Sequence, residues 1–226
     1  MLSKIVSSAE EALADVFDGA TVLIGGFGEV GVPYQLIGAL ARTGRRNLTV
    51  VNNNAGNREE GVAELLRAGC VSKVVCSFPH YPDGYVFREL MQAGKLSLEL
   101  VPQGTLAERM HCAGAGLGGF LTPTGVGTVV AEGKQLVSKN GRDYLFEEPL
   151  PGDFALIRAH RADRWGNLTY LKAMRNFNPV MAMASTVTIA EVDEIVELGD
   201  LDPEVIATSG VFVHRVVVRT PGDSRP

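Results

Sequence analysis

The chain is poor in the residue types on which several broad classes of protein depend. It has only three cysteines, Cys70, Cys76 and Cys112, at no C-x-x-C spacing. An odd number of unpaired cysteines gives neither a disulfide framework nor a thiolate zinc site, so the three read as buried free thiols of a reducing, cytoplasmic compartment. No apolar run reaches the roughly 18 residues of a membrane span. The opening segment Met1-Leu2-Ser3-Lys4-Ile5-Val6-Ser7-Ser8-Ala9-Glu10 lacks the apolar stretch of a signal peptide, and none is expected. Lys and Arg form no stripe, and the formal net charge is -5, so neither nucleic acid nor membrane is an expected partner. The histidines, His80, His111, His160 and His214, are scattered, with no pair at metal-ligand spacing, and no metal is expected. A G-x-S-x-G nucleophile elbow and a G-K-[ST] phosphate loop are both absent.

What remains is ample for a core: 226 residues, 46% of them hydrophobic. One domain over residues 1–219 is the first reading, with 220–226 as a loose tail. Ser7-Ser8-Ala9-Glu10-Glu11 is a capping box opening a helix with Leu13, Val16 and Phe17 on its apolar side. Val22 to Ile24 is a buried strand and Pro33 to Thr43 a helix, with Pro33 at the first helical position. Strands follow at Leu48 to Val51, Lys73 to Cys76 and Leu96 to Val101, with helices at Gly61 to Ala68 and Phe87 to Ala93 between them. This rhythm predicts an α/β fold, an open and mostly parallel sheet with helices on both faces.

The second half departs from that rhythm. His111 to Gly127 is so rich in glycine that it reads as a structured loop region. Gln135 to Ser138 and Arg142 to Phe146 form a β-hairpin about Asn140-Gly141. Further strands are expected at Asp153 to Ala159, Leu168 to Tyr170, Thr186 to Val192 and Phe212 to Val218, and a short helix at Pro179 to Ala184. Glu59-Glu60 and Glu147-Glu148 read as solvated surface charges.

The segment with most chemical content is Gly25-Gly26-Phe27-Gly28-Glu29-Val30-Gly31 between the first strand and the helix. Glycine lets a backbone approach a ligand closely, and a loop before a helix aims free N–H groups and a helix dipole at an anion. Taken literally, Gly26 to Gly31 is the G-x-G-x-x-G of a dinucleotide site, which would make the chain a nicotinamide-dependent oxidoreductase. The acidic ribose ligand expected about 20 residues on is replaced by Asn52-Asn53-Asn54, and Glu29 would repel a pyrophosphate. Neutral amides at strand ends, Asn53, Asn54 and Gln103, suit instead a carbonyl or carboxylate whose charge rises in a transition state. Alternatively Asn54-Ala55-Gly56 is merely a turn. No nucleophile is evident.

Asp18 to Pro33 resembles the D-G-x-x-(three apolar)-G-G-F-x-x-x-G-x-P signature of family I coenzyme A transferases. Asn53 to Gly56, Val101 to Arg109, Gly114 to Gly116, Thr122 to Thr128 and Ala173 to Pro179 extend the resemblance to about Val218. It is greatest with the A-type subunits of the 3-oxoacid group. Cys76 to Pro79 and Asp163 to Tyr170 look most like the 3-oxoadipate enzymes of aromatic catabolism, while Gly116 to Pro123 looks equally like the short-chain acetoacetate enzymes. The resemblance implies CoA transfer from succinyl-CoA, or sometimes acetyl-CoA, to a 3-oxoacid by a ping-pong route through a glutamyl-CoA thioester. The nucleophilic glutamate is implied to lie in a Ser-Glu-Asn-Gly stretch of a second, B-type CoA-transferase subunit, in an A2B2 assembly with two copies of each; no such stretch occurs here. CoA is implied as substrate, with no separate cofactor. Gly25, Gly26, Phe27, Gly28 and Gly31 would then form the CoA and oxyanion loop, and Asn53, Asn54 and Gln103 a wall of the active site. A non-catalytic acyl-CoA-binding protein is the remaining alternative.

Overall fold

Val22-Leu23-Ile24, Val50-Val51 and Val74-Val75-Cys76 are apolar at every position. A strand sends successive side chains to opposite faces, so these segments need cover on both sides. The computed structural model describes residues 2–220 and gives them that cover. The first half contains α1 (Ala9–Ala12), β1 (Thr21–Ile24), α2 (Tyr34–Arg42), β2 (Leu48–Val51), α3 (Val62–Arg67), β3 (Val71–Cys76), α4 (Tyr85–Gln92), β4 (Ser97–Leu100) and α5 (Gln103–Gly114). The second half contains β5 (Phe120–Thr122), β6 (Leu136–Lys139), β7 (Arg142–Glu147), β8 (Gly152–Ala162), β9 (Leu168–Thr169), α6 (Asn178–Met183), β10 (Ser185–Ile195) and β11 (Arg215–Val218).

The main sheet runs β11-β10-β8-β1-β2-β3-β4 with every neighbour parallel; β9 joins β8 antiparallel. Val22, Ile24, Val50 and Val74 face one way, onto Leu36, Ile37 and Leu40 of α2, Leu65 of α3 and Phe87 of α4. Leu23, Val51 and Val75 face the other way, onto Leu106 and Met110 of α5 and Met181 of α6. Helices therefore cover both faces, as expected. A separate antiparallel sheet, β5-β7-β6, contains the hairpin, whose Asn140 and Gly141 take φ of 53° and 74°, as a type I′ turn requires. Among the described residues no helix is long and apolar enough to cross a membrane.

Several local expectations need correction. The reading of a strand end at Pro102-Gln103-Gly104 and a loop from His111 misses α5, because glycines at both of its ends mask the Leu106/Met110 spacing. Gly114 is a packing glycine: a Cβ there would lie 2.7 Å from that of Met183 on α6. Pro33 precedes the first turn of α2 and is not part of it. The N-terminal helix is one turn, Ala9–Ala12, capped by Ser8, whose Oγ accepts from the Glu11 N–H at 3.1 Å; Phe17 lies beyond it, half exposed. Phe212 ends a 3-10 turn, and its strand starts at Arg215. Glu147 is not solvated. Strand alternation in β7 turns Leu145 and Glu147 inward, and the carboxylate, 2% exposed, pairs with Lys134 at 2.6 Å. Of the expected tail only Thr220 is described, its N–H bonded to Gln35 Oε1 at 3.1 Å; residues 221–226 lie outside the described residues.

The Glu147 pair gives a test. Lys134→Met leaves a buried carboxylate without its partner and should cost on the order of 3 kcal/mol in urea unfolding. Adding Glu147→Leu should recover most of that loss, whereas a double variant as unstable as the single one would contradict the pairing.

Candidate active site

From β1 the chain builds outward through β2, β3 and β4, then returns to add β8 on the other flank of β1. In an open parallel sheet, the crevice beyond the carboxyl ends at such a reversal is where ligands bind. The residue that follows β1 there is Gly25. Its N–H bonds Leu156 O at 2.9 Å, and Phe27 and Val30 exchange backbone bonds at 3.0 and 3.2 Å to close a tight turn. Gly28 at the tip takes φ +62°. The N–H groups of Gly26 and Gly28 meet no acceptor among the described residues.

Buried amides fix this loop on two sides. Asn52 Nδ2 donates to Ile24 O at 2.6 Å, its Oδ1 accepts from Asn54 N at 2.8 Å, and Asn54 Nδ2 reaches Gly28 O at 3.3 Å. From α6, the fully buried Asn178 donates to Gly31 O at 3.1 Å and Met174 O at 2.7 Å, and accepts from Arg158 N at 3.0 Å. A Cβ on Gly25 would lie 1.8 Å from Asn178 Oδ1, which is why only glycine fits there. Asn176 adds a bond to Val30 O at 3.0 Å.

Asn53 points elsewhere. Its backbone carbonyl accepts from Ser77 and Phe78 N–H at 3.2 and 3.0 Å, which continues the β2/β3 pairing past the strand ends. Its Oδ1 accepts from Gln103 Nε2 at 2.7 Å and from Ser77 Oγ at 2.9 Å. Asn53 is 3% exposed, and with Oδ1 so engaged its amide nitrogen meets no acceptor among the described residues. Phe27, 50% exposed, and Gln103 border a shared depression of about 310 Å³ with Ala107, Asn176, Phe177 and Val180. Of the sequence candidates, Phe27 and Gln103 line that depression, with Asn53 bonded to Gln103, while Gly28 and Asn54 line a second, narrower one with Glu29, Asn57 and Glu60. Asn54 also makes the turn considered as its alternative, since its Oδ1 accepts from Gly56 N at 2.8 Å.

The helix start is not free to cradle an anion. The N–H groups of Gln35 and Leu36, in the first turn of α2, both go to Glu191 Oε2 of β10, at 2.9 and 3.1 Å. The chain supplies its own carboxylate to the helix dipole, so no site for a phosphate remains at that helix start. The thiols are also out of play: Cys70, Cys76 and Cys112 are buried, and burial pushes Cys76 up to about 12.

The coenzyme A transferase family pattern matches residues 6–219. The chain belongs to the coenzyme A transferase family. It is similar to a subunit of 3-oxoadipate CoA-transferase from Pseudomonas putida, 58% identical over 96% of this chain and 94% of that one. It is 54% identical to the subunit of the same name from Acinetobacter baylyi, over the full length of both. In fold it is similar to an acyl-CoA transferase of Escherichia coli O157:H7 solved as a thioester complex with CoA (TM-score 0.86, 24% identity), covering 99% of this chain and 51% of that one.

Asn52, Asn176, Asn178 and Glu191 are not among the sequence candidates. Asn52 stands in the asparagine run, and Asn176 and Asn178 in the family-like Asn-Phe-Asn-Pro, but their targets are backbone carbonyls that no pattern reveals. Glu191 does carry a signal: it is a lone charge inside the apolar strand Ile189-Ala190-Glu191-Val192.

Burial raises the Glu191 carboxyl to about 7, against the opposing pull of the α2 N–H groups, Arg158 of β8 and Arg219 after β11. Arg158 and Arg219 also pair with Asp193, which has His160 as a further partner. A carboxyl with a higher pKa folded than unfolded holds its proton better in the folded chain. Its contribution is full below the ordinary carboxylate range and is lost as pH rises to about 7. Melting temperature should therefore fall from pH 5 to pH 8, and Glu191→Gln should flatten that fall. An unchanged pH dependence in the variant would contradict the assignment.

Proposed function

We propose that this chain is the A-type subunit of a heteromeric CoA-transferase that moves CoA from succinyl-CoA to 3-oxoadipate, with the attacking glutamate on a B-type partner. The observation that carries this reading is the Asn53 side-chain amide, its Oδ1 fixed by Gln103 Nε2 at 2.7 Å, beside a loop whose Gly26 and Gly28 N–H groups meet no acceptor among the described residues. Uncharged donors suit a thioester carbonyl that becomes an oxyanion, and they do not trap a carboxylate product. The shared name of both curated relatives supports 3-oxoadipate as acceptor. CoA enters as substrate, the assembly is A2B2, and the place of action is the cytoplasm.

The partner's glutamate attacks the thioester carbonyl of succinyl-CoA. The C–S bond breaks, the CoA thiolate leaves, and a mixed anhydride forms. The thiolate attacks the glutamyl carbonyl and expels succinate, leaving a glutamyl-CoA thioester. The 3-oxoacid carboxylate then takes CoA by the reverse route and frees the glutamate. In each tetrahedral intermediate this chain donates hydrogen bonds to the oxyanion from the loop and Asn53, while Phe27 excludes water.

The test is thioester exchange by the chain with and without its partner. Activity is expected only in the complex, with 3-oxoadipate preferred over acetoacetate; full activity of the isolated chain would refute the division of labour. Asn53→Ala should lower kcat by about 100-fold, as loss of one oxyanion donor does. An unaltered kcat would remove Asn53 from the mechanism.

A further inference from the structure

Gly104 is a glycine that the chain's own fold does not require. It is the second residue of α5, and its φ is not positive. A Cβ there would meet no heavy atom within 4 Å. Gly25 and Gly114 are explained by Asn178 and Met183, which occupy the space where their side chains would be. Among the described residues nothing does the same at Gly104, and glycine weakens a helix through its backbone freedom. The bare Cα is exposed, and it lies in the depression of about 310 Å³ that Phe27, Gln103, Ala107, Phe177 and Val180 also line.

Gln103 is tied to Asn53 at 2.7 Å, which places the reacting carbonyl beside that pair on the functional reading above. Gly104 and, one turn later on α5, Ala107 line the same depression as Gln103, together with Phe177 and Val180. The depression has two amides, Gln103 and Asn176, beside the apolar surface of Phe27, Ala107, Phe177 and Val180, which gives room for acyl carbons and polar partners for a distal carboxylate.

We propose that Gly104 is a specificity-determining residue: its missing side chain makes the room for the carbons beyond the fourth of a 3-oxoacid. The inference rests on the CoA-transferase reading of this site and adds to it a limit on acyl length. One methylene more or less in an apolar pocket changes kcat/KM by roughly 10–200-fold, so even one added methyl should be felt.

The experiment uses the complex of this chain with its partner subunit. Rates of CoA transfer from succinyl-CoA are measured for acetoacetate, 3-oxopentanoate, 3-oxohexanoate and 3-oxoadipate, in wild type, Gly104→Ala and Gly104→Val. The kcat/KM ratio of the six-carbon to the four-carbon acids should fall about 10-fold in Gly104→Ala and further in Gly104→Val, with melting temperature unchanged or raised. An equal loss for every acid would overturn the proposal and place the thioester arm over Gly104. Failure of the variants to assemble would overturn it in favour of the partner's backbone, and no change in any ratio would overturn it outright. A wild-type complex that transfers CoA to none of the acids refutes the functional reading itself, and this inference with it. An active wild type with length-independent variants refutes the inference alone.

Discussion

The site depends first on the side-chain amide of Asn178. A loop with four glycines in seven residues has many backbone conformations to lose on folding. Asn178 holds it in one of them from full burial, with bonds to Gly31 O, Met174 O and Arg158 N. It ties together the loop, the segment before α6, and β8. Removed from water, each of these bonds counts for more, and each would be costly to leave unmade. Asn52 and Asn54 do the same from the β2 side. The loop's openness to a ligand thus rests on rigidity beneath it.

The electrostatic character of the site follows from a second buried contact. Glu191 accepts the first-turn N–H groups of α2, so the positive end of that helix is already engaged. On the proposed reading, the donors left for a ligand are uncharged amides and backbone N–H groups. This explains how one glycine pattern can serve two chemistries. With the helix start open, it receives a phosphate; with the helix start closed by an internal carboxylate, it presents backbone N–H groups to a carbonyl. Glu29, held by Asn57 at 3.1 Å at the loop's edge, adds a further charge against phosphate.

Much of the fold is legible in the sequence because its signals are local. Apolar β-branched runs and Asn140-Gly141 as a hairpin turn each mark their elements to within a few residues. α5 is not legible, because a glycine required by contact with Met183 looks in sequence like one that breaks a helix. Glu147 passes for a surface charge because its partner Lys134 lies on another segment. Gly25 to Gly31, Asn53, Asn54 and Gln103 can be picked out as candidates from their glycine and amide patterns, but the contacts that brace them cannot. Glu191 is 155 residues from the Leu36 N–H that it caps, and Asn178 is 147 from Gly31. Contacts at such range leave no period in the sequence.

The central claim is that this chain supplies a rigid half-site whose free loop N–H groups act only when a partner and a thioester close over them. Amide hydrogen exchange tests it most directly, comparing the isolated chain, its complex with the glutamate-bearing partner, and that complex with an acyl-CoA. The account predicts that exchange at Gly26 and Gly28 is unprotected in the isolated chain and slows in the complex with acyl-CoA, together with residues 103–107. Protection that appears elsewhere while the Gly25–Gly31 loop continues to exchange freely would contradict it.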